Sequence, residues 1–198
     1  DAALYESGSV AGGGPLRVDE INAYLVPAPA VFVTKRSAPL AQGLPEATFG
    51  NMPRDDGQLI VTLDEYPSVM EDPVARKYVR PFLGAEELLH GKQRWCLWLV
   101  GADPADLVRS PVLKARISAV RHFRLASSAS STRQMAATPH LFGQRPALHV
   151  QPYLVIPGVS SELRDFYPVR RVEPEVIASN ATFTASDPTG LLFAVISS

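Results

Sequence analysis

Apolar residues fall along the chain in short runs between turn-forming residues, with one longer stretch in which they recur at helical spacing. That stretch follows Ser110. Pro111 takes the first helical position, where its missing N–H does no harm. Leu113, Ile117, Val120 and Phe123 recur so as to share one face and are expected in the core. Shorter runs read as strands: Val31–Val33, Gln58–Thr62 after the turn signal Arg54-Asp55-Asp56-Gly57, and the nearly all-apolar Arg94–Val100. Trp95 and Trp98 could stack on bases, but in such a run they read as core. Thr62 precedes Leu63-Asp64-Glu65, a helix start with an acidic first turn. Pro67 and Pro73 then break this region into short helical pieces, the second over Val74–Val79. The last third alternates short apolar runs with turns, Tyr153–Ile156, Phe166–Val169, Val176-Ile177 and Leu191–Ile196, the pattern of an antiparallel sheet. The fold class expected is α+β, with mixed or antiparallel sheet elements and one long amphipathic helix.

Composition narrows this picture. With 198 residues, 46% hydrophobic and 20% charged, the chain can bury a core and is not globally disordered. Eighteen prolines and thirteen glycines favour many turns over a helical bundle. No apolar run approaches the roughly 18–20 residues that span a bilayer, and no secretory signal opens the chain. Cys96 is the single cysteine, so neither an internal disulfide nor a cysteine-built metal site is available. A cytoplasmic setting is expected. Residues 1–20, with Gly8 and Gly12-Gly13-Gly14, read as a tether, since no Gly-Lys-Ser/Thr follows to make a phosphate loop. The domain proper is expected over 21–198.

The net charge of −1 hides an asymmetry. From Leu107 to Ser161 there is no Asp or Glu, while Arg109, Lys114, Arg116, Arg121, Arg124, Arg133 and Arg145 all fall there. That stretch carries +7 and the remainder −8. Affinity for phosphates follows local potential, which net charge need not report. Two readings stand at this point: a nucleic-acid surface, or solvated arginines whose acidic partners lie elsewhere in the fold. Lys114 and Arg121, seven apart on the predicted helix with Arg116 and Arg124 close by, make a basic edge. The small, hydroxyl-rich stretch Leu125–Arg133 could bring main-chain N–H groups close to phosphates, or be simply a loop.

Several chemistries are absent from the sequence. No Asn is followed by Pro, so the tetrapeptide that holds an adenine amino group in amino-methyltransferases is missing. There is no glycine-rich fingerprint for an adenosyl cofactor, no Glu-x-Lys pair of a metal-dependent nuclease, and no Gly-x-Ser-x-Gly elbow. His90, His122, His140 and His149 have no metal-ligand spacing. No catalytic residue and no metal ligand is assigned.

An ordered set of segments resembles one family. Phe49-Gly50-Asn51-Met52-Pro53 is similar to a motif of MmeI-like combined restriction–modification enzymes. So are Val79–Glu87, Arg94–Leu99, Val120–Ser127, Ala137–Gly143, Val159–Arg164, Ile177–Ala181 and Leu192–Ser198. The likeness runs in order from about Ile21 to the last residue. It implies a target-recognition domain reading an asymmetric DNA site, cut from a parent chain that also holds a nuclease, an adenine methyltransferase core and a helical C-terminal region. S-adenosylmethionine and Mg2+ are implied for that parent and not for this segment. The partners implied are duplex DNA and the methyltransferase and helical regions of the same parent chain, with no membrane. More distantly, the chain resembles the recognition domains of type I specificity subunits.

Read with that resemblance, Phe49–Pro53 and Arg94–Leu99 are mainly structural, Asn51 satisfying turn backbone groups. Lys114, Arg121, Arg124, Ser127 and Arg133 are expected to contact phosphates and bases. Ser160, Ser161 and Arg164 form a second candidate set, although Arg164 could equally pair with Glu162 or Asp165. Arg170-Arg171 is more basic than the corresponding stretch of the family and is a candidate for site-specific contacts. Gln144–Gln151 departs from the family in length and composition; Gln144 suits adenine and Arg145 suits guanine. Two alternatives remain open: a protein-interaction module docking on an acidic partner, and an enzyme of unknown type with a pocket near His122 and His140.

Overall fold

In a computed structural model of the chain, residues 2–4, 16–23, 25–30, 41–161, 163–164 and 166–197 are described. The strand expected at Val31–Val33 and the glycines at 8 and 12–14 lie outside them. The chain divides into two units, 1–42 and 43–198. In the first, β1 (Ala2–Leu4) pairs antiparallel with β2 (Leu16–Val18), Ala3 opposite Arg17.

The second unit holds the remaining elements. In order they are β3 (Thr48–Phe49), β4 (Ile60–Val61), α1 (Tyr66–Glu71), a 3-10 turn (Ala75–Tyr78), β5 (Val79–Leu83), α2 (Ala85–His90) and β6 (Trp95–Leu97). Then come α3 (Pro104–Arg109), α4 (Pro111–Ala126), α5 (Ser130–Gln134) and a second 3-10 turn (Met135–Ala137). β7 (Tyr153–Pro157), β8 (Arg170–Val172), β9 (Ile177–Ala178), β10 (Thr182–Ser186) and α6 (Leu191–Ile196) follow. They form two four-stranded sheets, ordered β3-β10-β7-β8 and β4-β6-β5-β9. All pairings are antiparallel except β5 with β9, where Phe82 lies opposite Ile177 and Leu83 opposite Ala178.

That parallel pair separates two cores. Successive residues of a strand point to opposite faces, so Phe82 and Ile177 enter the larger core with Leu59, Val61, Leu97, Leu113, Val120 and Phe142. Leu83 and Ala178 enter the smaller one with Tyr153, Val155 and Val172. Trp95 and Trp98 pack against the larger core, as their apolar setting predicts, and Trp98 meets Phe142 edge-on at 5.1 Å.

α4 starts as its sequence dictates. The Ser110 hydroxyl accepts the Leu113 N–H at 3.0 Å and Pro111 follows it. Leu113 and Val120 are wholly buried and Ile117 partly so. Phe123, expected in the core, is 40% exposed, and the residue that continues the buried stripe is Arg124 at 0%. Its Nε donates to Arg54 O at 2.9 Å, Nη1 to Met135 O and Thr138 O at 2.9 and 3.0 Å, and Nη2 to Pro53 O and Leu141 O at 2.9 and 2.7 Å. A planar fork of five N–H donors meets five main-chain carbonyls. Three of them also accept a main-chain N–H (Pro53 O from Gly143, Met135 O from Thr138, Thr138 O from Leu141), and for Arg54 O and Leu141 O the guanidinium is the donor.

Other expectations change. Leu191–Ile196, read as a strand, is a helix: the carboxylate of Asp187, 2% exposed, accepts the N–H groups of Leu192 and Phe193 at 3.1 and 3.2 Å. Gly190 turns the chain into it at φ 81°. Phe166–Val169 precedes the strand, which forms at Arg170–Val172 instead. The small-residue stretch Leu125–Arg133 holds the end of α4 and most of α5 rather than a continuous loop. The first helical piece begins at Tyr66, three residues after Leu63, because Glu65 Oε2 turns back to accept from Thr62 N and Oγ1 at 3.0 Å each.

Removing Arg124 should therefore unfold the second unit more readily than any surface change. Arg124→Met is expected to lower the unfolding free energy by more than about 3 kcal/mol, because five hydrogen bonds would be lost and the carbonyls of Arg54 and Leu141 would be left without a donor. Arg124→Lys should be nearly as damaging, since one ammonium cannot span the fork's positions. Urea unfolding followed by tryptophan fluorescence measures both; a loss under about 1 kcal/mol would mean that water replaces the guanidinium.

Candidate nucleic-acid interface

The fold sorts the seven cations of the acid-free stretch into three groups. Arg116 donates to Gln58 O, Ile60 O and Glu65 Oε1 at 2.8, 2.9 and 2.8 Å, and Arg109 lies 3.8 Å from Asp106. Arg124 goes to the core. Lys114, Arg121, Arg133 and Arg145 have no carboxylate within 4.0 Å among the described residues. The reading that these arginines find acidic partners elsewhere holds for two of the seven.

Arg124 must be withdrawn as a DNA contact, because it is fully buried with every nitrogen bonded to main-chain carbonyls. Arg171 is withdrawn as well. Its Nε donates to Asp187 O at 3.0 Å and its Nη2 to Pro188 O at 3.0 Å, with the Asp187 carboxylate 3.6 Å away, so it fastens the turn between β10 and α6.

The remaining candidates occupy four places. Lys114 and Arg121 are exposed on α4 and line a depression of about 330 Å3 whose floor is Leu107, Val108, Ile117 and Pro139. Ser127 caps the end of α4, half-buried, and Arg133 on α5 is exposed with its Nη1 donating to Ser127 O and Ser128 O at 2.8 and 2.6 Å. Gln144 and Arg145 open on a larger cavity of about 590 Å3 with Phe49, Gly50, Met52, Pro146 and Asn180. Ser160, Ser161 and Arg164 are exposed on the segment between β7 and β8, where Ser161 Oγ accepts the Leu163 N–H at 3.2 Å. Arg170, exposed on β8, lines a separate depression of about 290 Å3 with Lys92, Arg94 and Glu87.

The first three places are joined by the segment 135–146. Pro139 borders the depression that holds Lys114 and Arg121, and Gln144 to Pro146 border the larger cavity. Between them His140 is half-buried, and burial followed by Arg145 and Arg124 holds its imidazole below the usual histidine range. His122, the other histidine considered for a pocket, is exposed on α4. Among the described residues no group of three or more His, Cys, Asp or Glu could hold a metal ion, and no residue here is assigned to Mg2+ or S-adenosylmethionine.

One glycine and one buried amide build the larger cavity. Gly50 passes so close to the 178–180 segment that a Cβ would stand 2.1 Å from Ser179 O. Only glycine permits that approach. Asn51, wholly buried, donates through Nδ2 to Ala147 O and Ala178 O at 3.1 and 3.3 Å and accepts the Ala147 N–H at 3.3 Å. Met52 and Gln144 exchange both main-chain hydrogen bonds at 3.0 Å, and Asn180 N donates to Asn51 O at 3.0 Å. The strip 50–52 thus holds Gln144 on one flank and Asn180 on the other. Asn180 and Phe49 received no functional role from the sequence; the Phe-Gly-Asn-Met-Pro motif was the available signal, and it points to structure rather than to what structure presents.

Asn51→Ala should free the 144–147 segment without dissolving the cores. Expected are a stability loss of about 2 kcal/mol and loss of hydrogen-exchange protection at the Ala147 amide, with the amides of β7 and β10 still protected. Unchanged protection at Ala147 would show that the segment is held by other contacts.

Residues 27–198 match the family described as MmeI, target recognition domain. DNA methyltransferase A of Bacillus subtilis (strain 168) is 32% identical over 183 residues, covering 91% of this chain and 20% of its own length. A solved structure of the type IIL restriction–modification enzyme MmeI in complex with DNA is similar over 99% of this chain and 26% of its own, with 39% identity and a TM-score of 0.77. The chain spans about a fifth to a quarter of the length of these relatives. With the family matched over most of its residues and the same fold at that identity, the chain belongs to the MmeI target recognition domain family.

Proposed function

We propose that this chain recognises a specific sequence of duplex DNA for a longer restriction–modification protein, and that methyl transfer and strand cleavage belong to other parts of that protein. The observation that carries the reading is the strip from Lys114 and Arg121 past His140 to Arg145. Its cations lack carboxylate partners among the described residues, and it ends at a cavity lined by amide and guanidinium groups. Phosphate contacts position a protein on DNA and base contacts specify the sequence; Lys114, Arg121 and Arg133 suit the first task, Gln144 and Arg145 the second. The solved complex of MmeI with DNA supports DNA recognition by this domain.

The finer parts of the reading rest on chemistry. α4 acts as an amphipathic helix whose Lys114–Arg121 edge faces the phosphates. Ser160, Ser161 and Arg164 form a second backbone contact, and Arg170 a further one. Residues 21–198 make up the recognition domain and 1–20 the tether, in an architecture related to type I specificity subunits. Leu191 on α6, an apolar residue 64% exposed, gives the rest of the parent chain a surface to cover. A cytoplasmic setting goes with DNA modification; no described helix is long and apolar enough to cross a membrane.

Fluorescence anisotropy with a mixed-sequence duplex over a salt series tests the phosphate contacts. Binding should weaken as salt rises, and Lys114→Ala, Arg121→Ala and Arg133→Ala should each reduce the log–log slope by about one. These variants should retain sequence preference. No binding at low salt would overturn the reading and favour a protein-interaction module on an acidic partner.

A further inference from the structure

The larger cavity presents more than the two side chains that sequence reasoning assigned to base contacts. Asn180 is exposed, and its main chain is fixed from two directions: Ser179 N donates to Leu83 O at 2.8 Å and Asn180 N to Asn51 O at 3.0 Å. Its side-chain amide makes no hydrogen bond with any described residue. A free carboxamide on a fixed backbone faces a cavity of about 590 Å3 that it shares with Gln144 and Arg145.

The rest of the lining narrows what can enter. Phe49 is 60% exposed, yet its ring is held against Phe183 with centroids 4.6 Å apart. Met52 and Pro146 complete an apolar wall, and no carboxylate lines the cavity. In the major groove, adenine offers an acceptor at N7 and a donor at N6, the complement of a carboxamide's N–H and C=O. Guanine offers two acceptors, which suit a guanidinium. Cytosine offers a donor at N4, best met by a carboxylate, and none is here. Thymine alone adds a methyl group, which needs an apolar surface.

Resting on the DNA-recognition reading above, we infer that Asn180 reads the major-groove edge of an adenine whose paired thymine sets its 5-methyl group against Phe49. Gly50 and Asn51 act as positioning residues, holding the two flanks of the cavity at fixed separation.

The test begins by selecting sites for the 198-residue chain from a randomised duplex pool at low salt, alongside Asn180→Ala. Anisotropy then gives affinities for the selected site, for an unrelated duplex, and for selected sites carrying 7-deazaadenine or deoxyuridine. Asn180→Ala should flatten the preference at one A·T position and weaken the selected site roughly tenfold to a hundredfold. It should change the unrelated duplex by less than about twofold. For the unmodified chain, 7-deazaadenine at that position should weaken binding by a similar factor, a measurement that does not depend on any variant folding. Deoxyuridine for the paired thymine should weaken it roughly fourfold, and this effect should vanish in Phe49→Ala. An unchanged motif and affinity in Asn180→Ala, an equal loss on both duplexes, or a lost preference at a G·C position overturns the assignment while leaving DNA recognition standing. No duplex binding by the unmodified chain overturns both.

Discussion

Arg124 carries a positive charge into a site closed to solvent, and its hydrogen-bond partners are main-chain oxygens rather than carboxylates. Such a charge persists only where its surroundings are fully preorganised, since each donor left unpaired would add a desolvation penalty. Asp55, itself buried with its carboxylate accepting from Gly57 N and Leu59 N, supplies the opposing charge at longer range. The carbonyls that Arg124 gathers belong to three pieces of chain: Pro53 and Arg54, Met135 and Thr138, and Leu141. None of these is in a sheet. Arg124 does for irregular backbone what a ladder does for strands, and the segment it ties to α4 is the one that carries His140, Gln144 and Arg145.

Asn51 takes over where the guanidinium's reach ends. The strip from Gly50 to Arg54 is bound at its far end to Arg124 and at its near end, through Asn51, to Ala147 and Ala178. The two devices act in series on one short segment, so the cavity's geometry follows from a pair of buried polar side chains and a glycine. Hydrophobic burial sets the two cores; it does not set the cavity. Networks of this kind specify a single arrangement only when every member is satisfied, and the hydrogen bonds of Asn51 and Arg124 meet that condition.

The parts of this arrangement that could be read from the sequence were those in which local chemistry and burial agree. Ser110 and Pro111 announce the start of α4, and the turn at Arg54–Gly57 announces itself through its Asp and Gly. The misses have a common physical origin in contacts between residues distant in sequence. A pattern of apolar and polar positions sends Phe123 inward and Arg124 to water, and the reverse holds because five carbonyls converge from elsewhere. β10 escaped notice because it buries Thr182 and Thr184, whose hydroxyls are met by Ser179 O, Thr48 and His149. α6 was mistaken for a strand because a six-residue apolar run carries no period; the choice is made by Asp187, a cap lying outside the run. Asn180 carries no signal of its own in the sequence, since what fixes its place beside the cavity is a main-chain bond to Asn51.

The same reasoning bears on how a surface like this one can be both specific and changeable. A side chain that discriminates bases must be held within a fraction of an ångström, or its hydrogen bonds are lost to orientation. A side chain that also takes part in holding the scaffold cannot be exchanged without loosening it. In this chain the two duties fall on different atoms. Gln144 and Asn180 are held by their main chains, through Met52 and Asn51, while their side-chain amides make no hydrogen bond among the described residues. Arg124 and Asn51 are held by their side chains and face no solvent. A change at position 144 or 180 therefore alters the chemistry presented in the cavity and leaves untouched the main-chain bonds that define where it is presented. Arg145 is the intermediate case, since its Nη1 also donates to Phe142 O, and it joins the presented edge to the scaffold that supports it.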